Sequence, residues 1–445
     1  MQSTYSCLAL RGAYHLYLGY QSANPVTAIM TQDQTITASS PLILSPVDYA
    51  ADHAAIFDLT AKAFSGGHNY WKWHQICRGG YFEPSHYNPA ASVIGRVDGV
   101  AVTHVGVWDF QMRIGNAVAR VGGIGAVATH GEYRKHGYMH STFAQCVAQM
   151  RAQGFHFSLL YGIRNYYSRF GYTPAWADRA VTVKPADLIR RDPQTALQPE
   201  KSILTGEFVA LHTKANAGLT GTAMRPTYPS LLPFDEGPAY SLRLAGGELI
   251  GAIQTKRDGR RLNVVEAFGD GAELLAHTAR LCESEHCDEL VFRKLHPRSA
   301  LAQLITTDNC KVETFHDRDG GAMARVISLE PTLRQLLPEL AGRLRTVIPA
   351  GMERPLLLAD GEQALMLEIT RTDATLTALP ISTVNECTHP DAILSPRGFS
   401  RLLLGSGDPL VELANGRVDA RGLGKLLLPV LFPAQEPILS AIDFF

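Results

Sequence analysis

Cysteine is scarce: seven in 445 residues, scattered from Cys7 to Cys387. An odd number at that density excludes a disulfide scaffold and fits a reducing compartment, so a cytoplasmic protein is expected. A long apolar run is also missing. The longest candidate, Leu426 to Pro433, falls well short of the ~18–20 residues needed to cross a bilayer, and no membrane role is expected. Neither charge is in surplus, with 41 basic against 42 acidic residues and a formal net charge of −1. That excludes a dedicated nucleic-acid binder, whose phosphate contacts need a basic excess. The N-terminus makes a poor secretory signal, because Cys7-Leu8-Ala9-Leu10 is interrupted by Arg11 and no small-residue cleavage site follows. What is present is 46% apolar and 19% charged residues, enough for several ordinary cores. At about 100–200 residues per domain, two to four domains are expected.

Residues 1–40, rich in Gln, Ser and Thr, show no sustained periodicity and are expected to form a loose arm, within which Met30 is a possible alternative start. From Pro41 the pattern becomes regular. Leu42 to Leu44 predicts a strand. Val47 to Phe64 predicts an amphipathic helix with Ile56, Leu59, Ala63 and Phe64 on one face. Val93 to Val97 runs into Asp98-Gly99, a type I′ turn pair, and Ala101 to Phe110 forms the return strand. Gly115-Asn116 turns the chain again into a strand over Ala117 to Val127. Tyr138 to Gln153 predicts a helix with Met139, Phe143, Cys146, Val147 and Met150 on its apolar face, stopped by Gly154. Phe155 to Tyr161 is the next strand. This mixed unit is bounded at about residue 180. Over 181–331 the pattern predicts a hairpin turning at Ala245 to Glu248, a helix over Ala272 to Ser284 and a strand over Glu289 to Arg293. Glu330-Pro331 is expected to be a junction. Residues 332–445 open with a helix from Leu333 to Val347, followed by a hairpin around Asp360-Gly361 and a helix over Phe399 to Leu404 that stops at Gly405.

The chemistry-bearing stretch is Val127-Ala128-Thr129-His130-Gly131-Glu132-Tyr133-Arg134-Lys135-His136-Gly137-Tyr138-Met139. A strand ends, a Gly-containing loop follows and a helix begins. Unpaired N–H groups at such a helix start, together with the macrodipole, suit a phosphate or pyrophosphate. Gly137 permits close approach, while Arg134 and Lys135 add countercharge. The plainer alternative is an ordinary strand-to-helix loop with solvated basic residues.

With Asn165-Tyr166-Tyr167-Ser168-Arg169-Phe170-Gly171-Tyr172 after the next strand, this stretch resembles the GNAT superfamily of acyl-CoA N-acyltransferases. Arg134-Lys135-His136-Gly137-Tyr138-Met139 is similar to its Arg/Gln-x-x-Gly-x-Gly/Ala loop. Met139 stands where a small residue is usual. That departure and the Tyr-Ser-Arg-Phe-Gly-Tyr string resemble the Eis (enhanced intracellular survival) acetyltransferases in particular. The resemblance covers the chain from about residue 41. It implies an α/β (α+β) architecture with a catalytic GNAT domain over 41–180, a second GNAT-like domain over 181–331 without its own phosphate loop, and a sterol-carrier-protein-like domain over 332–445. Pro390 to Leu394 before Phe399 to Gly405 supports the third region.

The resemblance implies acetyl-CoA as cosubstrate, with the pyrophosphate on residues 134–139 and the pantetheine arm paired with Ala126, Val127 and Ala128. It implies acetyl transfer to a primary amine, with aminoglycoside- and polyamine-like amines among the candidates, and Tyr167 as general acid. A phenol of pKa ~10 is protonated at neutral pH and can return a proton to a departing thiolate; the alternative is a half-buried aromatic beside Phe170. The base implied is the carboxylate of the terminal residue, here Phe445, acting through water because its intrinsic pKa is only ~3.5; the alternative is a frayed tail. Phe444 and Ser65-Gly66-Gly67 replace acidic residues of the aminoglycoside acetylators, and Asp443 compensates in part. His68, Trp71 and Trp73 suggest a more aromatic acceptor mouth, so Trp71, Trp73, Asp443 and Phe444 are the expected acceptor-binding residues. A homo-oligomer, hexameric in that family, is also implied.

Weaker constellations add little. Cys282 and His286 at i, i+4 lack further ligands for structural zinc, and no metal is expected. Cys146 belongs to a core. Gly405-Ser406-Gly407 follows a helix where a nucleophile elbow would follow a strand. An apolar-ligand carrier on a GNAT scaffold, a longer-chain acyltransferase and a protein-lysine acetyltransferase remain as alternative functions.

Overall fold

The computed structural model describes residues 40–66, 68–82, 86–163, 165–189, 191–225, 237–307, 309–316, 319–347, 355–359, 363–382, 390–443 and 445. Residues 1–39 of the expected arm, Phe444 and the turn at Asp360-Gly361 lie outside the described residues.

The first sheet grows from the expected meander. β1 (Ile43–Pro46), β2 (Val93–Val97), β3 (Val100–Ile114) and β4 (Ala117–Thr129) pair antiparallel in sequence. Asp98 and Gly99 both take positive φ, +50° and +80°, as a type I′ hairpin demands. Between β1 and β2 lie α1 (Tyr49–Phe64), opened by the Asp48 side chain as N-cap, and the short α2 (Tyr70–Ile76). α3 (Tyr138–Ala152) then crosses to β5 (Phe157–Ile163), which pairs parallel with β4. The α3 stripe Met139, Phe143, Cys146, Val147 and Met150 is buried on the sheet as its spacing predicts, and Gly154 ends the helix with φ +75°.

Past β5 the linear division into units breaks down. β6 (Thr173–Pro174) is a short edge, and β7 (Asp178–Val183) leaves for the second sheet. That sheet contains β8 (Ala196–Glu200), β10 (Ala239–Arg243), β11 (Leu249–Asp258), β12 (Arg261–Gly269), β13 (Glu289–Arg293) and β14 (Cys310–Phe315), in the order β14-β7-β13-β12-β11-β10-β8. Its helices are α4 (Glu207–Ala215), α5 (Gly271–Ser284) and α6 (Ala300–Ile305), and α5 makes the crossover between the parallel β12 and β13. β9 (Ala223–Met224) pairs with β3, and β15 (Asp319–Val326) returns to the first sheet between β5 and β6. Thus β15 fills the β5-β15-β6 slot while β7 fills the matching β13-β7-β14 slot. Each half lends a strand to the other, and residue 180 falls inside a lent strand instead of a linker. Sequence patterning missed β7, β8, β14 and β15, and the pairing of β7, β14 and β15 is decided by this exchange.

Glu330-Pro331, expected to be a junction, sits in the first turn of α7 (Leu329–Arg345). A proline is tolerated there because the first-turn N–H groups have no intrahelical partner. Leu329, Leu333, Leu336, Leu340 and Leu344 of α7 are buried, and one apolar cluster runs from Val121 and Leu159 of the first sheet through this stripe into the C-terminal unit. At roughly 1.5–3 kcal/mol per fully buried Leu, this stripe is a major tie between the two. The C-terminal sheet has the order β18-β17-β16-β19-β20, from β16 (Leu356–Ala359), β17 (Ala364–Ile369), β18 (Ala374–Leu379), β19 (Ala392–Leu394) and β20 (Val418–Ala420). α8 (Pro396–Leu403), α9 (Pro409–Ala414) and α10 (Gly422–Leu431) complete it. No helix among the described residues is long and apolar enough to cross a membrane.

Candidate active site

The parallel pairing of β4 with β5 runs from Val121–Phe157 to Ile124–Leu160 and stops. β4 continues to Thr129 and β5 to Ile163, so the two strands open a V. Their outer edges belong to β3 and β15. Among the described residues no strand pairs with the inner edge of β4 beyond Ile124, which leaves backbone groups there for another partner. The opening coincides with a bulge: His104 pairs with Ala128 and Gly106 with Gly125, leaving Ala126 and Val127 opposite Val105. Ala126 takes φ +47°, a conformation that costs a non-glycine residue about 1–3 kcal/mol.

His104 props the bulge. Its Nδ1 donates to the Ala126 carbonyl at 2.9 Å, so its Nε2 accepts from the Tyr87 hydroxyl at 3.0 Å. Accepting at Nε2 goes with a neutral ring, which burial favours by lowering the His104 pKa to about 4. No motif or spacing marks His104 in the sequence.

At the open end of the V, a single 3₁₀ turn (Gly131–Tyr133) leads into exposed Arg134, Lys135, His136 and Gly137. Lys135 and Gly137 both have positive φ, +69° and +79°. Such alternation curls a chain so that successive N–H groups face a common concavity. α3 then begins at Tyr138 with no side-chain cap among the described residues, leaving its first N–H groups and positive dipole end to attract an anion. Tyr138 stacks on His136 at 5.5 Å, whereas Met139 turns into the core beside Phe143. The His130 Nδ1 is buried with no hydrogen-bond partner among the described residues. The unpaired strand edge, the nest and the uncapped helix suit a linear diamide arm ending in a pyrophosphate.

α5, in the matching position of the second half, differs. The Asp270 side chain accepts from the N–H groups of Ala272 and Glu273. A carboxylate of the chain itself thus occupies the place an anion would take.

Tyr167 opens a 3₁₀ turn (Tyr167–Phe170), is 8% exposed, and packs with Phe143 and Phe170. Its ring covers Gly162 of β5, where a Cβ would lie 2.4 Å from it. The Phe445 ring covers Gly123 of β4, stacks on Phe110 at 5.5 Å and tilts against Tyr161 at 5.7 Å. Tyr161 and Gly162 are consecutive on β5, so the two rings flank that strand from its opposite faces. The chain's last residue therefore lies at the apex of the V and is packed, not frayed.

Trp71 and Trp73, expected from the sequence to bind the acceptor, do not gather around Phe445. Trp71 is 73% exposed, against Tyr70, and Trp73 packs on Phe64; neither belongs to the cluster around Phe445. Tyr81 and Trp108 do pack in the cluster that includes Phe445, their rings tilted against each other with centroids 4.7 Å apart over Gly125, two residues along β4 from Gly123. Asp443 is not an open carboxylate: Arg225 Nε and Nη2 donate to it at 2.8 and 2.9 Å. Patterning missed Tyr81, Trp108, Phe110, Tyr161 and Arg225, because the loops and strands that carry them meet only in the folded chain. No group of three metal-capable residues forms among the described residues, and His286 lies beyond the end of α5.

Residues 50–175 match the family described as an acetyltransferase (GNAT) domain. The stretch spans α1 to β6 and contains the V, the bulge, the basic loop and Tyr167. The chain thus carries a GNAT acetyltransferase domain and is an acyltransferase in class. Three solved structures share the fold over nearly the whole chain. A protein from Enterococcus faecalis described as a probable N-acyltransferase is 16% identical over 91% of this chain and 100% of its own, with a TM-score of 0.71. A GCN5-related N-acetyltransferase from Anabaena variabilis is 14% identical over 91% and 100%, with a TM-score of 0.69. Eis1 from Mycobacterium abscessus is 14% identical over 91% and 99%, with a TM-score of 0.60. At these identities the likeness is one of fold. No curated protein matches the chain in sequence.

Proposed function

We propose that the protein transfers an acetyl group from acetyl-CoA to a primary amine by direct attack, with Tyr167 as general acid and the Phe445 carboxylate as base. The observation that carries this is the V between β4 and β5, with an uncapped helix start at its mouth and the chain's last residue at its apex. The inner edge of β4 at Ala126, Val127 and Ala128 would hold the pantetheine amides. The N–H groups of residues 134–139, with the Arg134 and Lys135 charges, would hold the pyrophosphate. When bound, acetyl-CoA supplies an activated thioester carbonyl.

The chain's own groups do the rest. Phe445, seated by ring stacking, presents the terminal carboxylate to the incoming ammonium and takes its proton, through water because a carboxylate of pKa ~3.5 is a weak direct base. Tyr167, on the other face of β5, returns a proton to the leaving thiolate. Tyr81, Trp108, Phe110 and Tyr161 form an apolar wall around the approach. The nearby carboxylates Asp443 and Glu266 are both engaged by Arg225 and do not stand open to the acceptor. Both features favour an acceptor with an apolar or aromatic body and a single amine over an aminoglycoside or polyamine.

The test is thiol release from acetyl-CoA with a panel of amines. Arylalkylamines should release thiol faster than spermidine or an aminoglycoside. No release with any amine would reject acetyl transfer to small amines.

A further inference from the structure

In the second half, the parallel pair β12–β13 also stops early, at Val264–Phe292, while β12 runs on to Gly269. A cavity of about 50 Å³ lies there, lined by Val265, Glu266 and Lys294 together with Ile438, Ser440 and Asp443 of the tail. The second V is thus filled by the chain's own C-terminus.

Arg225 fastens it. The side chain is 1% exposed, grips Asp443 through two parallel bonds of 2.8 and 2.9 Å, and also donates to Glu266 of β12. Burial disfavours the guanidinium charge, but Asp443 and Glu266 outweigh that and hold its pKa above the ordinary arginine value. Ser440 donates to the same Glu266 at 2.6 Å. Upstream, Gly221 has φ +93° and no room for a Cβ, which would lie 2.5 Å from the Ile438 nitrogen. Arg298 donates to the Ala434 carbonyl at 2.7 Å.

The position of Arg225 is itself tied to the first site. It directly follows β9, which pairs with Gln111 and Met112 of β3, and Phe110 beside them carries the Phe445 ring. The terminal residue therefore has two anchors, a stacked ring and an ion pair two residues earlier, both referred to β3.

We propose that Arg225 is a positioning residue that clamps Asp443 in the second cleft and thereby fixes the Phe445 carboxylate in the first. The catalytic part rests on Phe445 being the base; the clamp itself does not. The test uses the full chain and carboxypeptidase A, which releases a C-terminal Phe. Wild-type protein should resist release. Asp443→Asn, nearly isosteric, should release Phe445 roughly tenfold faster or more, since cleavage tracks the population of the loosened tail, and Arg225→Lys should fall between the two. The same Asp443→Asn chain should lose roughly tenfold or more in kcat while its KM for acetyl-CoA stays within about twofold. In a chain ending at Phe444, Asp443→Asn should add no further loss of kcat. Release rates equal in all three proteins would overturn the clamp. Full activity in the chain ending at Phe444 would instead overturn the base assignment, and the release assay would still decide the clamp.

Discussion

Gly123→Ala puts the terminal residue to a local test. Gly123 has an ordinary extended backbone, since it is absent from the positive-φ positions, so an alanine there carries no intrinsic strain. Its Cβ, however, would lie 2.3–2.5 Å from three atoms of the Phe445 ring, where ordinary contacts begin near 3.4 Å. The ring must retreat by roughly 1 Å, and a misplacement of that size at a reacting group can cost about 10²-fold in rate, or about 2.7 kcal/mol of barrier. We therefore expect kcat to fall by about 10²-fold with little change in the KM for acetyl-CoA, because the helix start and the β4 edge are untouched. Gly342→Ala on α7 is the control. A Cβ there meets nothing within 4 Å, and replacing a mid-helix glycine should stabilise the protein by about 0.5–1 kcal/mol with activity unchanged. Steady-state kinetics and thermal unfolding on the three proteins decide the matter. A Gly123→Ala enzyme with wild-type kcat would show that the Phe445 carboxylate takes no part in the reaction.

Tyr167→Phe keeps the packing on Phe143 and Gly162 and removes one hydroxyl; we expect kcat to drop by about 10²–10⁴-fold with an unchanged melting temperature, and unaltered turnover would reject the acid role. A few residues appended after Phe445 should abolish acetylation, while a tagged chain as active as the untagged one would refute the placement of the base. Stability should fall in acid: burial lowers the pKa of His104, His212 and His296 to about 4, about 3 and about 4. The unfolded chain, with histidines near 6.5, binds those protons first, so stability is present above pH 6.5 and is lost as pH falls toward the folded-state values. Between pH 7 and pH 5 each site contributes a loss of about 2 kcal/mol, and a urea midpoint that stays constant over that range would contradict the burial of these rings as neutral groups.

Much of the first sheet was legible because its signals are local. Asp98-Gly99 specifies its turn by positive φ, the α3 stripe repeats at helical spacing, and Arg134 to Gly137 announces a loop between a strand and a helix. The exchange of β7 and β15 was not legible. Both are short strands whose partners lie more than a hundred residues away, and nothing in their own pattern selects one sheet over the other. Glu330-Pro331 misled for a related reason: a proline marks either a break or a first turn, and only the buried leucine stripe of α7 decides which.

The site divides along the same line. Backbone conformation and helix polarity follow from neighbouring residues, so the glycine-containing loop between β4 and α3 and the identity of the terminal aromatic were determined by the sequence alone. The Tyr87–His104–Ala126 prop, the aromatic wall and the Arg225–Asp443–Glu266 cluster were decided only by tertiary structure. A buried charge or a strained bulge is tolerated only where distant groups converge to satisfy it, and that convergence is a property of the whole fold.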